Sequence, residues 1–110
     1  MLVGIKIPVH RGQEVVGHAI ISPIDVALGR YKWNTTPDGY VYRTTRLGGR
    51  AGTNRRVYIH REIMGLTFGQ PLEVDHVDRQ PWNNRRDNLE IVTRGENLRR
   101  RNTEYPIRTK

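Results

Sequence analysis

Short stretches rich in β-branched and aromatic residues alternate with turn residues along most of the chain, a pattern that predicts strands more often than helices. The first two stretches are residues 2–9 and 18–21, and we expect the earlier one to be an edge strand that ends at Pro8. The sequence SPID follows and has the order of a helix start, with Ser22 as the N-cap. We therefore expect one short helix over residues 23–28.

The middle of the chain has the pattern of a β-hairpin followed by a third strand. Residues 31–33 and 40–44 are rich in aromatic and β-branched side chains, and the segment between them, NTTPDG, supplies turn residues. A glycine-rich segment at 47–54 is expected to be a mobile loop, and a third strand is expected at 55–59. The sequence HREIMGL at 60–66 then fits a short helix that ends at its glycine.

The C-terminal part has the order strand, polar loop, strand and helix. The strands are expected at 72–77 and 88–92, and Thr93 with Glu96 forms a capping box that starts a helix at Arg94. Together with the hairpin region, these elements predict a small α+β single domain. The side chains expected to form its core are Trp33, Tyr40, Tyr42, Ile59, Ile63, Leu72, Val74, Leu89 and Ile91.

The charge of the chain indicates a polyanionic partner. Lysine and arginine together number 19 against 11 acidic residues, which gives a net charge of +8, and only three of the 19 are lysine. Because arginine binds phosphate bidentately and stacks on bases, this composition favours nucleic acid over a membrane surface. The alternative, a basic surface that only keeps the protein soluble, stays open on charge alone.

The sequence also excludes several classes of protein and site. The 110 residues are enough for one domain and too few for two. Cysteine is absent, which removes disulfides, thiol nucleophiles and Cys-based zinc sites, so any metal must be held by oxygen and nitrogen ligands. No run approaches the ~20 apolar residues of a membrane span, and polar residues interrupt any signal-peptide core. We expect a cytoplasmic protein.

An acidic residue and a histidine stand side by side in the predicted strand 72–77. Neighbouring strand residues point to opposite sides, and in-line hydrolysis of a phosphodiester needs a base on one side of phosphorus and a metal ion on the other. The ordinary pKa of histidine lies near neutrality, which suits His76 to act as a general base. Asp75 offers the hard oxygen that Mg²⁺ prefers. Asn97, early in the next helix, could complete the metal site. We therefore expect a divalent cation, and not an arginine, as the partner of Asp75.

Each of these residues alone also fits an ordinary structural role. Asp75 fits a turn at the end of a strand, Asn88 a loop cap and Asn97 an exposed helix position. His60 is expected to be a capping or packing residue, and Trp82, in the polar loop, is expected to cover the site or contact DNA. The complete set, in the order strand, loop, strand and helix, favours a nuclease.

The sequences VDHVD, NNRRDNL and EIVTRGEN resemble the motif of HNH, or ββα-metal, nucleases. The resemblance is closest to the phage- and intron-encoded branch, whose last metal ligand is asparagine. Twelve residues separate His76 from Asn88, and twenty-one separate it from Asn97. Upstream, RYKW, DGYVYR and VYIHREIMGL extend the resemblance to residues 5–102.

The resemblance implies a role for each motif residue. Asp75 and Asn97 would hold one Mg²⁺ or Mn²⁺, His76 would activate the attacking water, and Asn88 would orient the His76 ring. Asn84 would tie the loop together. The residues alone leave open which loop asparagine contacts the imidazole, among Asn83, Asn84 and Asn88. The absence of cysteine separates this chain from family members that carry a structural zinc.

The resemblance further implies a metal-dependent DNA endonuclease with its ββα-metal core at 70–102, after a β-rich part at 1–66. One site per chain would nick one strand of double-stranded DNA and leave a 5′-phosphate and a 3′-hydroxyl. Cutting both strands would need a homodimer or two successive events. Two alternatives stay open: a catalytically silent DNA-binding module of the same fold, and a small RNA-binding or ribosome-associated protein.

The helix from Arg94 carries few apolar residues and several arginines that repel one another, so a polyanion would stabilise it. The alternative for this segment is a solvated basic tail. The arginines expected to contact DNA are Arg46, Arg50, Arg61, Arg85, Arg86, Arg94, Arg99, Arg100 and Arg101.

Overall fold

The computed structural model describes residues 4–48, 52–67 and 69–103, with residues 47 and 101–103 described as backbone. The first part contains the strands β1 (Ile5–Arg11), β2 (Glu14–Ile21), β3 (Trp33–Thr35), β4 (Val41–Leu47) and β5 (Thr53–Tyr58), with a 3-10 helix at Pro23–Arg30. The second part contains α1 (Ile59–Ile63), β6 (Leu72–His76), β7 (Asn83–Asn84), a 3-10 helix at Arg86–Asn88, β8 (Leu89–Thr93) and α2 (Arg94–Thr103). This mixture confirms the predicted α+β class. No helix in the described ranges is long and apolar enough to cross a membrane.

Six strands form one sheet in the order β5-β4-β3-β1-β2-β7, and β6 pairs with β8 in a second sheet. β1 therefore lies inside the larger sheet and continues through Pro8 to Arg11. The expectation of an edge strand that ends at Pro8 was wrong. Because β3 pairs with β1 only at Val9 and His10, a proline at position 8 interrupts no pairing with β3.

The short helix expected over 23–28 is a 3-10 helix that extends to Arg30. Ser22 does not cap it through its side chain, because its hydroxyl oxygen accepts a hydrogen bond from the backbone N–H of Arg86 at 2.9 Å. Asp25 is buried and accepts hydrogen bonds from the Arg86 guanidinium at 2.7 and 3.0 Å. The start of this helix therefore anchors the C-terminal part of the chain.

The predicted hairpin and third strand are confirmed, since β3 pairs with β4 and β4 pairs with β5, both antiparallel. The turn between β3 and β4 contains Gly39 at a φ of 95°, which glycine adopts without strain. β4 and β5 reach Leu47 and Thr53 and take up both ends of the expected glycine-rich loop. Residues 49–51, including Arg50, lie outside the described residues.

The hydrophobic core joins both sheets and α1. Trp33 is its largest fully buried side chain, and the indole N–H donates to the carbonyl oxygen of Leu28 at 2.7 Å. The other predicted core residues that are buried are Ile59, Ile63, Val74 and Leu89, and those that are half-buried are Tyr40, Tyr42 and Leu72. Ile91 was predicted wrongly, because it is 39% exposed while its neighbour Val92 is buried.

The C-terminal strands and helix follow the predicted order. The capping box is confirmed: the N–H of Glu96 donates to Thr93 Oγ1 at 3.1 Å, and the N–H of Thr93 donates to Glu96 Oε1 at 2.8 Å. The loop between β6 and β8 contains two elements that the pattern did not predict: the 3-10 helix Arg86–Asn88, and the two-residue strand β7, which pairs in parallel with β2. This pairing attaches the polar loop to the larger sheet.

Candidate active site

Asp75 and His76 end β6 and project to opposite sides of the two-stranded sheet. His76 is buried among the side chains of the larger part of the molecule. The Asp75 carboxylate lies on the side covered by α2, where Arg100 contacts it. This two-sided placement is the one that in-line phosphodiester hydrolysis needs.

Asn84 holds the His76 ring. His76 Nε2 lies 2.8 Å from Asn84 Oδ1, and Asn84 Nδ2 donates to the carbonyl oxygen of Pro81 at 3.1 Å. Because a carbonyl only accepts, the amide oxygen of Asn84 must face the ring, and the imidazole proton lies on Nε2. The lone pair is then on Nδ1, which is the nitrogen that can accept a proton from water. The expectation that Asn88 orients the ring was wrong.

Asn88 instead closes the loop that follows the histidine, which was the role expected of Asn84. Asn88 Nδ2 donates to Asp78 Oδ1 at 2.9 Å and to the carbonyl oxygen of Asn83 at 2.8 Å, and Asn88 Oδ1 accepts from the N–H of Asp78 at 3.0 Å. Burial would raise the pKa of Asp78, but hydrogen bonds from Asn83, Gln80 and Asn88 outweigh it and hold that pKa below its usual value. The loop is therefore fixed around one buried asparagine.

Replacing Asn88 with alanine is expected to lower the free energy of unfolding by about 1–3 kcal/mol, because Asp78 and the half-buried carbonyl of Asn83 lose hydrogen-bond partners. Urea unfolding of the two proteins measures the change. Asn54→Ala, at an exposed position of β5, is the matched control and should change stability by less than about 0.5 kcal/mol. Equal stability of Asn88→Ala and the unmodified protein would contradict the loop-closing role.

Asn84 reaches the histidine because β7 joins the larger sheet. The N–H of Ile20 in β2 donates to the carbonyl oxygen of Trp82 at 2.8 Å. The Trp82 ring lies so close to Gly17 of β2 that a Cβ atom at that position would overlap it. Trp82 therefore packs against the sheet and anchors the loop, while the expectation that it covers the site or contacts DNA stays a prediction.

Two rings enclose His76: the Tyr40 centroid lies 6.0 Å away and the His60 centroid 5.1 Å away. His60 is buried, which agrees with the packing role expected for it. Burial, with smaller electrostatic contributions from His76 and Arg61, lowers the pKa of His60 from 6.5 to about 3. Burial also lowers the pKa of His76, although its bond to Asn84 and two nearby carboxylates oppose the change. Both imidazoles are therefore neutral at pH 7.

Arg100, one of the arginines expected at DNA, is the partner of Asp75. Its Nη1 atom lies 3.0 Å from Asp75 Oδ2 and 2.7 Å from Glu90 Oε1, and hydrogen bonds to Glu90 and Asp75 raise the pKa of the guanidinium. The expectation that no arginine stands beside Asp75 was wrong. The physical reason is the strand register, which places Asp75 opposite Glu90, so that the two carboxylates share one cation.

Asn97 lies three residues before Arg100 on the same side of α2. Its Nδ2 atom donates to Glu73 Oε1 at 2.7 Å. Glu73 stands two residues before Asp75 in β6, so both acids project toward α2. Two side-chain contacts therefore hold α2 against β6: the amide of Asn97 with Glu73, and the guanidinium of Arg100 with Asp75.

Sequence analysis did not single out Glu73, Asp78 or Glu90. The alternation in LEVDH was a signal for Glu73, because strand residues two apart share a face. The signal for Asp78 was its place at the end of VDHVD. The sequence carries no signal for Glu90, because its contact with Arg100 depends on the register of β6 with β8.

Within the described ranges, no three His, Cys, Asp or Glu side chains come together as a metal site. Mg²⁺ needs fewer protein ligands, because it keeps several of its waters and binds one or two carboxylates. The carboxylate of Asp75 and the amide oxygen of Asn97 are hard donors on the facing sides of β6 and α2. They fit a hydrated Mg²⁺ or Mn²⁺ ion, provided that Arg100 releases Asp75.

A cleft of about 220 Å³ opens beside Asn97 and Glu73, with Tyr40, Tyr58 and His60 on its other side. The cleft therefore borders a candidate metal ligand as well as the rings around His76. Its polar lining is acidic or neutral. A phosphate in this cleft would need a cation beside it, because like charges repel strongly in a partly enclosed site.

Arg61 has a structural role besides the DNA contact expected for it. Its guanidinium donates to the carbonyl oxygens of Leu72 at 2.6 Å and of Thr67 and Gln70 at 3.2 Å each. These bonds join the helix α1 to the start of β6. The expected DNA contact of Arg61 stays a prediction.

Arg86 and Arg85 are also held within the fold. Arg86 is paired with Asp25 through two hydrogen bonds, and its expected role at DNA stays a prediction. The Nε atom of Arg85 lies 3.3 Å from the Asp87 carboxylate but is buried and not aligned for a hydrogen bond, so this contact is ionic.

The remaining arginines stay predictions. Arg46 in β4 and Arg94 and Arg99 in α2 are exposed. Arg50 and the side chain of Arg101 lie outside the described part of the chain.

Residues 57–99 match the family model for HNH endonucleases. This segment runs from the end of β5 into α2 and contains the candidate residues Asp75, His76, Asn84, Asn88 and Asn97. The match confirms the resemblance to the HNH family, while the branch within the family stays a prediction. Comparison with curated proteins and with solved structures gave no match.

Proposed function

We propose that this chain, whose residues 57–99 match the family model for HNH endonucleases, is a metal-dependent enzyme of that family that hydrolyses phosphodiester bonds of double-stranded DNA. The observation that carries the proposal is the 2.8 Å contact between His76 and Asn84, next to the strand-end carboxylate of Asp75. It supports a neutral imidazole whose Nδ1 can accept a proton.

His76 would act as the general base. Its lowered pKa keeps the ring neutral at pH 7, so Nδ1 can take the proton of an attacking water. Asn84 Oδ1 accepts from Nε2–H before and after this transfer, which keeps the ring in place and stabilises the imidazolium. Tyr40 and His60 restrict ring rotation from the sides.

Asp75 and Asn97 would hold a divalent cation, which when bound stabilises the negative charge on the departing 3′-oxygen. The first turn of α2 adds backbone N–H groups that favour the phosphate. Attack of water on phosphorus with departure of the 3′-oxygen leaves a 5′-phosphate and a 3′-hydroxyl. One site per chain nicks one strand in each event.

Arg100 and a cation cannot occupy the same position at Asp75. We therefore propose that Arg100 turns to a DNA phosphate when a cation replaces it, where it joins Arg94 and Arg99 of the same helix. Binding of the metal and binding of DNA then strengthen each other, because each removes the competitor of the other.

This coupling is tested with His76→Ala, a variant that should bind DNA without cleaving it. Adding Mg²⁺ to this variant is expected to tighten its binding to DNA by about 5-fold or more. The double variant His76→Ala, Arg100→Ala should show a smaller gain. Fluorescence anisotropy with a labelled duplex measures both, and an Arg94→Ala version of the first variant is the control for lost charge. Equal tightening with and without Arg100 would contradict the exchange.

End analysis of a labelled duplex tests the proposed reaction. With Mg²⁺ or Mn²⁺, and not with EDTA, we expect nicks that DNA ligase reseals directly, because ligation needs a 5′-phosphate and a 3′-hydroxyl. Nicks that resist ligation until a 3′-phosphate is removed would contradict attack with departure of the 3′-oxygen.

The ion pair between Arg100 and Asp75 favours one second candidate, a DNA-binding module without catalysis. In such a module the arginine would remain on the carboxylate and no metal would bind. Tight duplex binding that is unaffected by Mg²⁺, with no cleavage under either metal, would identify this alternative.

A further inference from the structure

An asparagine that binds a metal must present its amide oxygen and not its nitrogen, and Asn97 faces this choice. The amide of asparagine can turn by half a rotation with little change in shape, so a neighbouring group has to select one orientation. We infer that Glu73 makes this selection and is a positioning residue for the metal site. The inference rests on the proposed function, because it assumes that Asn97 is a metal ligand.

The contact between Glu73 and Asn97 determines the orientation of the amide. Asn97 Nδ2 lies 2.7 Å from Glu73 Oε1. A carboxylate at neutral pH only accepts hydrogen bonds, so the NH₂ group must face Glu73 and the amide oxygen must point away from it. The lone pairs of that oxygen therefore face away from Glu73, which is the orientation that a metal ligand needs.

The fold places Glu73 where this selection is useful. Glu73 and Asp75 share the face of β6 that α2 covers, and Asn97 and Arg100 share the face of α2 that meets them. The amide of Asn97 thus lies beside the same strand as the proposed carboxylate ligand. The cleft of about 220 Å³ beside Glu73 and Asn97 has room for several water molecules, and Mg²⁺ keeps several of its own.

Glu73 is better suited to orient a ligand than to be one. No three acidic or histidine side chains of the described residues form a metal cluster, so Glu73, Asp75 and Glu90 do not converge on one point. One oxygen of Glu73 is already engaged by Asn97. Partners of this kind, which bind a metal ligand and not the metal, typically change metal affinity 10- to 100-fold when they are removed.

Binding of Mn²⁺ to the protein without DNA, followed by electron paramagnetic resonance of the free ion, tests the inference apart from activity. Glu73→Ala is expected to weaken Mn²⁺ binding about 10-fold or more. Glu73→Gln should weaken it less, because glutamine can still accept a hydrogen bond from Asn97 through its amide oxygen. Thermal unfolding without metal checks that each variant is folded, and the glutamine variant serves if the alanine variant is not.

A double-mutant cycle separates orientation from direct ligation or simple charge. If Glu73 acts through Asn97, Glu73→Ala will have little further effect in an Asn97→Ala background. An equal loss in both backgrounds would overturn the inference, because Glu73 would then act directly on the cation. Unchanged affinity of Glu73→Ala in the otherwise unmodified protein would also overturn it.

Glu90→Gln is the charge control, because it removes one acid from the same face without touching Asn97. It should bind Mn²⁺ at least as tightly as the unmodified protein, since it also loosens the hold of Arg100 on Asp75. Weakening equal to that of Glu73→Ala would overturn the inference in favour of a general field effect. If the unmodified protein binds no Mn²⁺ and cleaves no DNA, the proposed function itself fails, which is a result distinct from all of these.

Discussion

His76→Ala is expected to slow DNA cleavage roughly 10²- to 10⁴-fold, the range that general bases contribute, while DNA affinity stays nearly the same. The loss follows from the position of Nδ1, the only atom of the buried Asn84 and His76 pair that can take a proton from water. Single-turnover cleavage of a labelled, intact DNA duplex measures the cleavage rate, and fluorescence anisotropy measures DNA binding.

The control for this variant is His18→Ala, an exposed histidine of β2 remote from β6 in sequence, which should keep full activity. Because burial lowers the pKa of His76, the base stays unprotonated to a lower pH than an ordinary histidine, and the cleavage rate of the unmodified protein should begin to fall at a lower pH than an ordinary imidazole would give. Full activity of folded His76→Ala would eliminate the assignment of the base.

Asp75→Asn is expected to abolish Mn²⁺ binding and to slow cleavage by about 10²- to 10³-fold, because a metal supplies several kcal/mol of charge stabilisation in such reactions. The amide keeps the shape of the side chain but removes the negative charge that holds either a cation or Arg100. Measurement of Mn²⁺ binding and of single-turnover rates on the same preparations links the two effects.

Asp87→Asn is the matched control for Asp75, since Asp87 is an exposed acid of the loop between β6 and β8 that pairs with Arg85. It should leave metal binding and cleavage unchanged. If Asp75→Asn retained metal-dependent cleavage, the cation would have to be held elsewhere and the proposed metal site would be wrong.

The elements that sequence analysis predicted correctly depend on short-range contacts. The capping box joins Thr93 and Glu96 within a single turn, and the turn at Gly39 needs a positive φ at one residue. Patterns of this kind are complete within a few residues, so the sequence contains all the information they need.

The roles that it assigned wrongly depend on contacts between distant parts of the chain. The sequence alone does not distinguish the three asparagines of this loop. The pairing of β7 with β2 does, because it turns Asn84 toward His76. The sequence also carries no sign that Arg86 pairs with Asp25, because Asp25 lies 61 residues earlier. Sequence spacing predicted the residues of the candidate site, whereas tertiary pairing determined which of them meet.

Conversion of supercoiled plasmid to the open circular form, by the unmodified protein and by His76→Ala prepared identically, is the first test of a metal-dependent nuclease with His76 as its base. The unmodified protein is expected to nick the plasmid with Mg²⁺ and not with EDTA, and His76→Ala is expected to leave it supercoiled. Nicking that persists in EDTA, or that His76→Ala performs equally well, would contradict the proposed function.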